Sequence, residues 1–268
     1  MKKNLVLVLA GIIIVAVLSF ACDNRKVIEL TAADIGSGGG GPAPVNTAIN
    51  TPTVTPTTEA AGFDVVGIFD DMEDNDNENN WGGFWYTYDD YAASTPPGSS
   101  YVVPWTDGQW ERNGMAAEPF FMTAVTDRPG SSYAARMTGV VTTDFTYGFV
   151  GMGCSFLDPK APVDVWTGVT GVRFWTKGDY NGYRMKIMSS SPLFLDGEGD
   201  NHFGYAFIAP PDWTQLTIPY SNFTQEPYWG TVVTDKEAAL KMGTDIQFQT
   251  VGQPHASIEL WVDHIEFY

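Results

Sequence analysis

The segment VTGVRFWTKGDYNGYRMKIM, residues 169–188, gives the clearest indication of the fold. Apolar and polar residues alternate from Val169 to Trp175 and again from Tyr183 to Met188, and a period of two is typical of a β-strand with one buried face. Between these runs, Lys177-Gly-Asp-Tyr-Asn-Gly182 is rich in residues that form turns. The segment therefore predicts two strands joined by a short turn.

Similar alternating runs continue through the chain after residue 62. They predict strands at Tyr101–Val103, Tyr133–Val141, Phe145–Phe156, Phe203–Ile208, Thr214–Ile218, Ile246–Val251 and Ile258–Phe267. The predicted helix is Asp235–Met242, where Thr234 or Asp235 caps the beginning and Gly243 ends it. Roughly ten strands at this spacing predict an all-β fold, a two-sheet jelly-roll β-sandwich with one short helix, over residues 62–268.

Composition and charge exclude several classes of protein. The chain has 268 residues, with 14 Lys and Arg against 32 Asp and Glu, and its formal net charge is −18. Nucleic-acid binding is excluded because phosphate contacts need a basic face. Two cysteines and three histidines leave little material for a disulfide framework or a zinc site. Cys154 lies in a predicted strand and is expected to be a small buried hydrophobic residue.

The first 22 residues resemble the signal peptide of a bacterial lipoprotein. Lys2 and Lys3 precede the apolar run Leu5–Phe20, and the ending Leu18-Ser-Phe-Ala-Cys22 is similar to a relaxed lipobox. The resemblance implies cleavage before Cys22 and acylation of Cys22, which would anchor the chain to a membrane of the cell envelope, at the cell surface or the periplasmic face. An ordinary cleaved signal and an uncleaved anchor are the alternatives. Residues 23–61 are rich in Gly, Thr and Pro and are predicted to be a disordered linker.

The sequence carries no common catalytic motif. It has no Gly-x-Ser-x-Gly elbow, no Gly-rich phosphate loop and no His-x-x-x-His pair. A period of two does not place Glu259, Asp263 and Glu266 all on one strand face, so these carboxylates are not expected to catalyse hydrolysis together. The chain is therefore predicted not to be an enzyme. A hydrolase or lyase on the same fold is an alternative, with candidate loop carboxylates Asp196, Glu198, Asp200 and Glu226.

Two acidic segments lie near the ends of the predicted domain. They are Asp70-Asp-Met-Glu73 and Trp261-Val-Asp263. The first and last strands of a sandwich often lie together, so these segments can meet, and clustered carboxylate oxygens suit a calcium ion. A solvated acidic turn is the alternative.

Aromatic residues occur beside polar ones in three further segments. These are Asn80-Trp-Gly-Gly-Phe-Trp-Tyr86, Tyr147-Gly-Phe149 and Pro227-Tyr-Trp229. Sugars have apolar C–H faces and a rim of hydroxyls, which match an aromatic side chain flanked by hydrogen-bonding groups. Phe84 and Tyr86 are predicted to share one strand face, with Trp85 on the other. Packing in the core is the alternative role for each of these aromatic residues.

Taken in order, these segments resemble the family-11 carbohydrate-binding modules, which have a galactose-binding-like jelly roll. The resemblance is carried by Asp70–Glu73, Asn80–Phe84, Val172–Gly178, Gly199–Tyr205, Trp213–Phe223 and Trp261–Ile265. It covers residues 63–84 and 148–268 well and residues 85–147 poorly. It implies stacking aromatic residues at Phe84, Phe149 and either Tyr228 or Trp229, a cleft acid at Asp200 beside His202, and structural calcium at Asp71, Glu73 and Asp263.

The function predicted from these observations is non-catalytic binding of a β-glucan-like polysaccharide or oligosaccharide by a membrane-anchored lipoprotein. The predicted sugar-binding residues are Phe84, Tyr86, Phe149, Asp200, His202, Tyr228 and Trp229. Thr224-Gln-Glu-Pro227 replaces an Arg and an Asp of the family pattern, so the resemblance does not extend to mixed-linkage glucan specificity. A protein-binding or structural surface lipoprotein on the same fold is a further alternative.

Overall fold

The alternating segments form antiparallel strands in two sheets that pack face to face. A computed structural model describes residues 64–91, 97–107, 114–194, 201–227 and 229–268. The strands in these residues are β1 (Gly67–Asp70), β2 (Trp85–Asp89), β3 (Tyr101–Val103), β4 (Thr123–Ala124), β5 (Tyr133–Val141), β6 (Val150–Ser155), β7 (Gly171–Gly178), β8 (Gly182–Ser189), β9 (Gly204–Ile208), β10 (Thr214–Pro219), β11 (Gly243–Thr250) and β12 (His255–Phe267). The predicted two-sheet β-sandwich is confirmed.

The two sheets differ in size. In the seven-stranded sheet the neighbours are β10-β7-β12-β5-β3, with β1 beside β12 and β4 beside β5. In the five-stranded sheet the order is β2-β6-β11-β8-β9. Every pairing is non-consecutive along the chain except β4 with β5 and β8 with β9, so long-range contacts position most of each sheet.

Strand β7 shows why the period of two predicts this architecture. Val172, Phe174 and Thr176 are buried, whereas Arg173 and Trp175 on the opposite face are only partly covered. The Phe174 ring lies 5.2 Å from the ring of Phe248 on the other sheet, in an edge-to-face arrangement. The apolar residues of each strand therefore form the core, and the alternating residues form the outer faces.

The two ends of the described domain meet at one edge of the core. Strand β1 pairs with β12, and Gly67 lies opposite Phe267. The Trp81 ring lies 4.8 Å from Phe69 and 5.2 Å from Phe267. The expectation that the two acidic segments approach each other is confirmed by this strand pairing.

Some element boundaries differ from the sequence-based expectation. Strand β6 begins at Val150 and not at Phe145, because residues 145–148 form a turn in which the Gly148 N–H donates to the Phe145 carbonyl at 3.1 Å. The helix α1 (Lys236–Leu240) is capped as predicted by Asp235, whose side chain accepts from the Ala238 N–H at 2.9 Å. Gly243 already belongs to β11. Cys154 is fully buried, as predicted.

Several sequence predictions lie outside the described residues. They are the signal peptide 1–22 with Cys22, the linker 23–61, Asp200 and Tyr228. No helix in the described ranges has the length and apolar composition needed to cross a membrane.

Candidate functional site

The outer face of the five-stranded sheet carries most of the predicted sugar-binding aromatic residues. Tyr86 and Tyr88 of β2 point outward, as does Phe84 just before this strand. They alternate with the buried Trp85 and Thr87. The predicted alternation of Phe84, Trp85 and Tyr86 is therefore correct. Phe149 lies just before β6, and its ring centroid is 6.0 Å from that of Tyr88. We call Phe84, Tyr86, Tyr88 and Phe149 the aromatic strip.

Two glycines of β6 let the tyrosine rings lie against the sheet. Gly153 is opposite Tyr86 and Gly151 is opposite Tyr88 in the β2–β6 pairing. A Cβ atom at Gly151 would lie 2.4 Å from Tyr88 Cζ, and one at Gly153 would lie 2.9 Å from Tyr86 Oη. Only hydrogen on these two Cα atoms leaves room for the rings, which therefore cover the β6 backbone side by side, with centroids 6.1 Å apart.

Polar side chains of β11 and β8 lie on the same outer surface, next to the tyrosine hydroxyls. The Tyr86 hydroxyl donates to Asp245 Oδ1 at 2.8 Å and accepts from Gln247 Nε2 at 2.8 Å. Lys186 Nζ donates to Gln249 Oε1 at 2.8 Å, and the Tyr88 hydroxyl contacts the same oxygen at 3.4 Å. We call the residues Asp245, Gln247, Gln249 and Lys186 the polar strip.

The register of the strands explains why the two strips adjoin. One row across the sheet runs Tyr86, Gly153, Gln247 and Lys186 on β2, β6, β11 and β8. Because glycine adds no side chain to the row, each tyrosine ring reaches over β6 to the polar residue on β11. The result is an aromatic surface with hydrogen-bonding groups along one side.

The tyrosine hydroxyls of the strip stay neutral. Burial and the nearby Asp245 carboxylate raise the pKa of Tyr86 and of Tyr88 well above the usual value for tyrosine. Lys160 Nζ forms an ion pair with Asp245 Oδ1 at 2.7 Å and supplies the counter-charge. The hydroxyls are therefore hydrogen-bonding groups at every physiological pH.

His202 occupies a different environment from the one expected of a ligand-binding group. It is only 3% exposed, its ring lies 4.5 Å from the ring of Phe194, and its Nδ1 has no hydrogen-bond partner. Burial, with a smaller contribution from Lys186, lowers the pKa of His202 to about 3. The imidazole is therefore neutral and packed beneath its neighbours, and it is not displayed on the surface.

Trp229 lies apart from the aromatic strip. The residue is 42% exposed, and its carbonyl accepts from Asn201 Nδ2 at 2.5 Å. Asn201 Nδ2 also donates to the Glu226 carbonyl at 2.7 Å, so this loop is attached just before β9. Strand β9 is the edge strand opposite β2. The structure thus brings Phe84, Tyr86 and Phe149 together but separates Trp229 from them.

Five of the eight residues in the two strips were not predicted from the sequence. Tyr88 and all four residues of the polar strip were not predicted, although Phe84-Trp-Tyr-Thr-Tyr88 continues the same alternation. The spacing of Gly151 and Gly153 in β6 is a second signal, since two glycines on one strand face leave room for neighbouring rings. The polar residues had no local signal, because their role depends on the strand order.

The predicted calcium ligands are distributed among other partners. The Glu73 carboxylate accepts from Ser131 Oγ at 2.8 Å and from the Ser132 N–H at 2.9 Å. Asp71 Oδ1 accepts the Glu73 N–H at 3.3 Å within its own turn. In the part of the chain that the structure describes, no three His, Cys, Asp or Glu side chains group as a metal site.

Asp263, the third predicted calcium ligand, is paired with the positive charge of Arg128. Arg128 Nη1 lies 2.8 Å from Asp263 Oδ2, and the two side chains are 9% and 0% exposed. The guanidinium also lies 4.9 Å from the centre of the Trp175 ring. The described geometry therefore fits an Arg128–Asp263 pair and does not fit one calcium ion held by Asp71, Glu73 and Asp263 together.

Arg128→Met is expected to lower the free energy of unfolding by about 3 kcal/mol, because it leaves the buried Asp263 carboxylate without its counter-charge. Urea denaturation in chelator measures this effect.

Calcium binding stays a prediction that the same experiment tests, since an ion bound only to the folded state raises its stability. A rise in excess calcium that Glu73→Gln abolishes would support calcium, and equal stability in calcium and chelator would contradict it.

Each carboxylate of β12 that the sequence analysis considered for catalysis is paired with an arginine. Glu259 Oε1 is bound by Arg136 Nη2 at 2.6 Å, and Glu266 Oε2 by Arg173 Nε at 2.7 Å. Both belong to the seven-stranded sheet, and Asp263 is buried with Arg128. Among the loop carboxylates proposed from the sequence, Asp196, Glu198 and Asp200 lie outside the described residues.

Comparisons with known proteins agree with this architecture. The family model "Carbohydrate binding domain (family 11)" matches residues 89–268, including much of the segment that matched poorly by sequence reasoning. The family 11 module of a cellulosomal cellulase from Clostridium thermocellum is 20% identical, with 76% of this chain and 95% of that chain covered and a TM-score of 0.50. A family 11 module from the same organism, in complex with a β-1,3-1,4-mixed-linked tetrasaccharide, is 20% identical over 76% and 96% of the two chains, with a TM-score of 0.49. A search of curated proteins finds no match.

Proposed function

This chain belongs to the family 11 carbohydrate-binding domains, and we propose that it binds a polysaccharide without cleaving it, on the outer face of the five-stranded sheet. The observation that carries the proposal is the pair of adjoining strips. The phenol ends of Tyr86 and Tyr88 lie over Gly153 and Gly151 of β6, and their hydroxyls contact Asp245, Gln247 and Gln249. A sugar ring stacked on either tyrosine would find hydrogen-bonding groups at its rim.

The shape of the aromatic strip favours an extended ligand. Its tyrosine and phenylalanine rings follow one another along β2 and the beginning of β6, with centroid separations of 6.1 Å and 6.0 Å. A linear polysaccharide can place successive sugar units on successive rings. Because water competes for every hydroxyl, the expected affinity is modest, roughly micromolar to millimolar. We propose a β-glucan-like chain as the ligand.

A glycan array of β-glucans, xylans and mannans tests the proposal with the purified full-length chain. We expect selective binding that Tyr88→Ala weakens by about tenfold, because one stacking contact is lost. Tyr101→Ala is the matched control, since Tyr101 is also partly exposed but lies on the seven-stranded sheet. A blank array with folded protein would contradict sugar binding and favour the protein-binding alternative.

We also propose that the domain does not hydrolyse the polysaccharide that it binds. Glycoside hydrolysis needs two carboxyl groups about 5–10 Å apart across the scissile bond. Asp245, the carboxylate within the strips, is already engaged by Lys160 and the Tyr86 hydroxyl. We expect no release of reducing sugar from the polysaccharides that bind, and sustained release would overturn this part of the proposal.

We also propose that the domain is displayed from a membrane of the cell envelope through a lipid on Cys22. The support is the sequence alone: a basic start, an apolar run and Ala21-Cys22 at its end. Two or three acyl chains hold a protein stably at a membrane, whereas one does not. Metabolic labelling with a fatty acid tests the anchor, and label that persists in Cys22→Ser would overturn it.

A further inference from the structure

A lysine ammonium lies beside each tyrosine of the aromatic strip. Lys186 Nζ is 6.0 Å from the centre of the Tyr88 ring, and Lys160 Nζ is 6.0 Å from the centre of the Tyr86 ring. The two lysines come from different parts of the fold, β8 and the loop after β6. The same arrangement of aromatic ring and ammonium therefore occurs twice on one face.

Both ammonium groups are held in place by hydrogen bonds. Lys186 Nζ donates to Gln249 Oε1 at 2.8 Å, and Lys160 Nζ donates to Asp245 Oδ1 at 2.7 Å. Gln249 and Asp245 also contact the hydroxyls of Tyr88 and Tyr86, respectively. Each lysine is thus fixed relative to its own tyrosine ring, and the Lys160 side chain is still 50% exposed.

The distance from ring centre to ammonium suits a charged substituent on a stacked sugar. A pyranose lying on the tyrosine covers the ring, and its exocyclic group projects past the ring edge. A carboxylate or sulfate at that position would accept a charge-assisted hydrogen bond from the ammonium, which is stronger than one between neutral groups. A neutral hydroxymethyl group gains less from the same lysine.

The placement of cations is notable because the chain is strongly acidic. It has 14 Lys and Arg against 32 Asp and Glu, so long-range electrostatics disfavours an anionic ligand. Recognition of an anion on such a protein needs cations at short range. Lys186 lies at the strip beside Gln249, and Lys160, which also neutralises Asp245, keeps half of its side chain exposed. The ring–ammonium pair occurs twice, with ring centres 6.1 Å apart, so a charged substituent can meet a lysine at either tyrosine.

We propose that the polysaccharide bound here is anionic, with carboxylate or sulfate groups that Lys186 and Lys160 recognise on the sugars stacked at Tyr88 and Tyr86. The inference rests on the proposed function, since it keeps a linear β-glucan-like chain stacked on the aromatic strip, and it specifies that this chain carries anionic substituents. Lys186 and Lys160 are then specificity-determining residues of the aromatic strip.

The experiment compares three ligands that share one β-1,4-linked glucose backbone. They are cello-oligosaccharides, the same oligosaccharides oxidised at C6 to glucuronates, and cellulose sulfate oligosaccharides of equal length. Binding to the full-length chain is measured by calorimetry. We expect the glucuronates, the sulfates or both to bind about tenfold more tightly than the neutral chain, the effect of one hydrogen bond to a charged group. The charged ligand that binds more tightly identifies the anion.

Substitution of the lysines separates local recognition from general charge effects. Lys186→Gln and Lys160→Gln should each reduce the tenfold preference for the anionic ligand by about threefold, because the two lysines share it. Lys241→Gln is the matched control, because Lys241 also pairs with a carboxylate. Its Nζ lies 2.7 Å from Glu237 Oε1, and the pair is at the helix α1, away from the aromatic strip. Thermal melts verify that each variant is folded.

The outcomes distinguish this inference from the proposed function. Neutral and anionic ligands that bind equally, with binding still dependent on Tyr88, would overturn the anionic preference and leave polysaccharide binding intact. A preference that all three lysine variants retain would overturn the assignment of Lys186 and Lys160. Failure of every glycan, neutral or charged, to bind the folded chain would overturn both proposals.

Discussion

Alanine at both Gly151 and Gly153 is expected to lower glycan affinity by about a hundredfold while the domain stays folded. The added Cβ atoms would lie 2.4 Å from Tyr88 Cζ and 2.9 Å from both Tyr86 Oη and Gln247 Cγ, so the Tyr88 ring must leave its place on β6 and the Tyr86 ring must shift with Gln247. Each lost stacking contact costs about tenfold in affinity, and the two tyrosines contribute separately. The effect exceeds that of Tyr88→Ala because both rings are displaced.

The fold should tolerate these alanines because most of the displaced atoms are the phenol ends of the partly exposed Tyr86 and Tyr88, and Gln247 Cγ need shift only by a few tenths of an ångström. Alanine is also less flexible than glycine in the unfolded chain, which favours the folded state slightly. Gly182→Ala is the matched control on the same sheet, since its Cβ would meet its nearest atom, the Val251 carbonyl oxygen, at an ordinary 3.6 Å. Calorimetric titration and thermal melts give affinity and stability on the same samples.

Two results would contradict the proposed role of the glycines. Unchanged affinity in a folded double variant would mean that the position of the tyrosine rings over β6 is not needed for binding. An equal loss of affinity in Gly182→Ala would mean that any added methyl on this sheet disturbs binding, whether or not it touches a ring.

His202→Phe is expected to become more stable relative to the native chain as the pH falls, by about 3 kcal/mol between pH 7 and pH 4.5. Burial lowers the pKa of His202 from 6.5 to about 3 in the folded state, with Lys186 adding to the effect. The unfolded chain therefore takes up a proton below pH 6.5 that the folded chain does not accept. The contribution of neutral His202 to stability is complete above pH 6.5 and is lost as the pH falls towards 3.

The difference between the two proteins isolates this residue. Other titrating groups act equally in both, and phenylalanine replaces the imidazole beside the Phe194 ring, 4.5 Å away, without a titratable proton. Urea denaturation at a series of pH values measures the free energies of unfolding. Parallel curves for the two proteins from pH 7 to pH 4.5 would show that His202 is not buried as a neutral group.

The architecture was largely predictable because burial in a sandwich repeats every second residue. The alternation in residues 169–188 marked β7 and β8, and the turn residues between them ended both strands close to where they are observed. The short helix was predictable for a different reason, because Asp235 caps it through a bond to Ala238 three residues away. These signals lie within one short segment, so a single sequence contains them.

The candidate site was predictable only where it follows such local rules. The shared face of Phe84 and Tyr86 depends on strand geometry alone, and the structure has it as predicted. The polar strip was not predictable, because Gln247 and Gln249 reach the tyrosines only when β6 lies between β2 and β11. Strand order is set by contacts between distant residues, and no local pattern reports it.

The amino-acid sequence by itself determined the class of the fold, the shared strand face of Phe84 and Tyr86 and the family resemblance, since all three depend on residue type and spacing. The tertiary structure alone decided which side chains meet. It placed glycines under the tyrosine rings, Arg128 against Asp263 and Phe194 over His202. The physical reason is that close packing brings together residues that are far apart in the chain. Ion pairs, hydrogen bonds and steric fit between such residues depend on their distance in space, which their spacing in the sequence does not give.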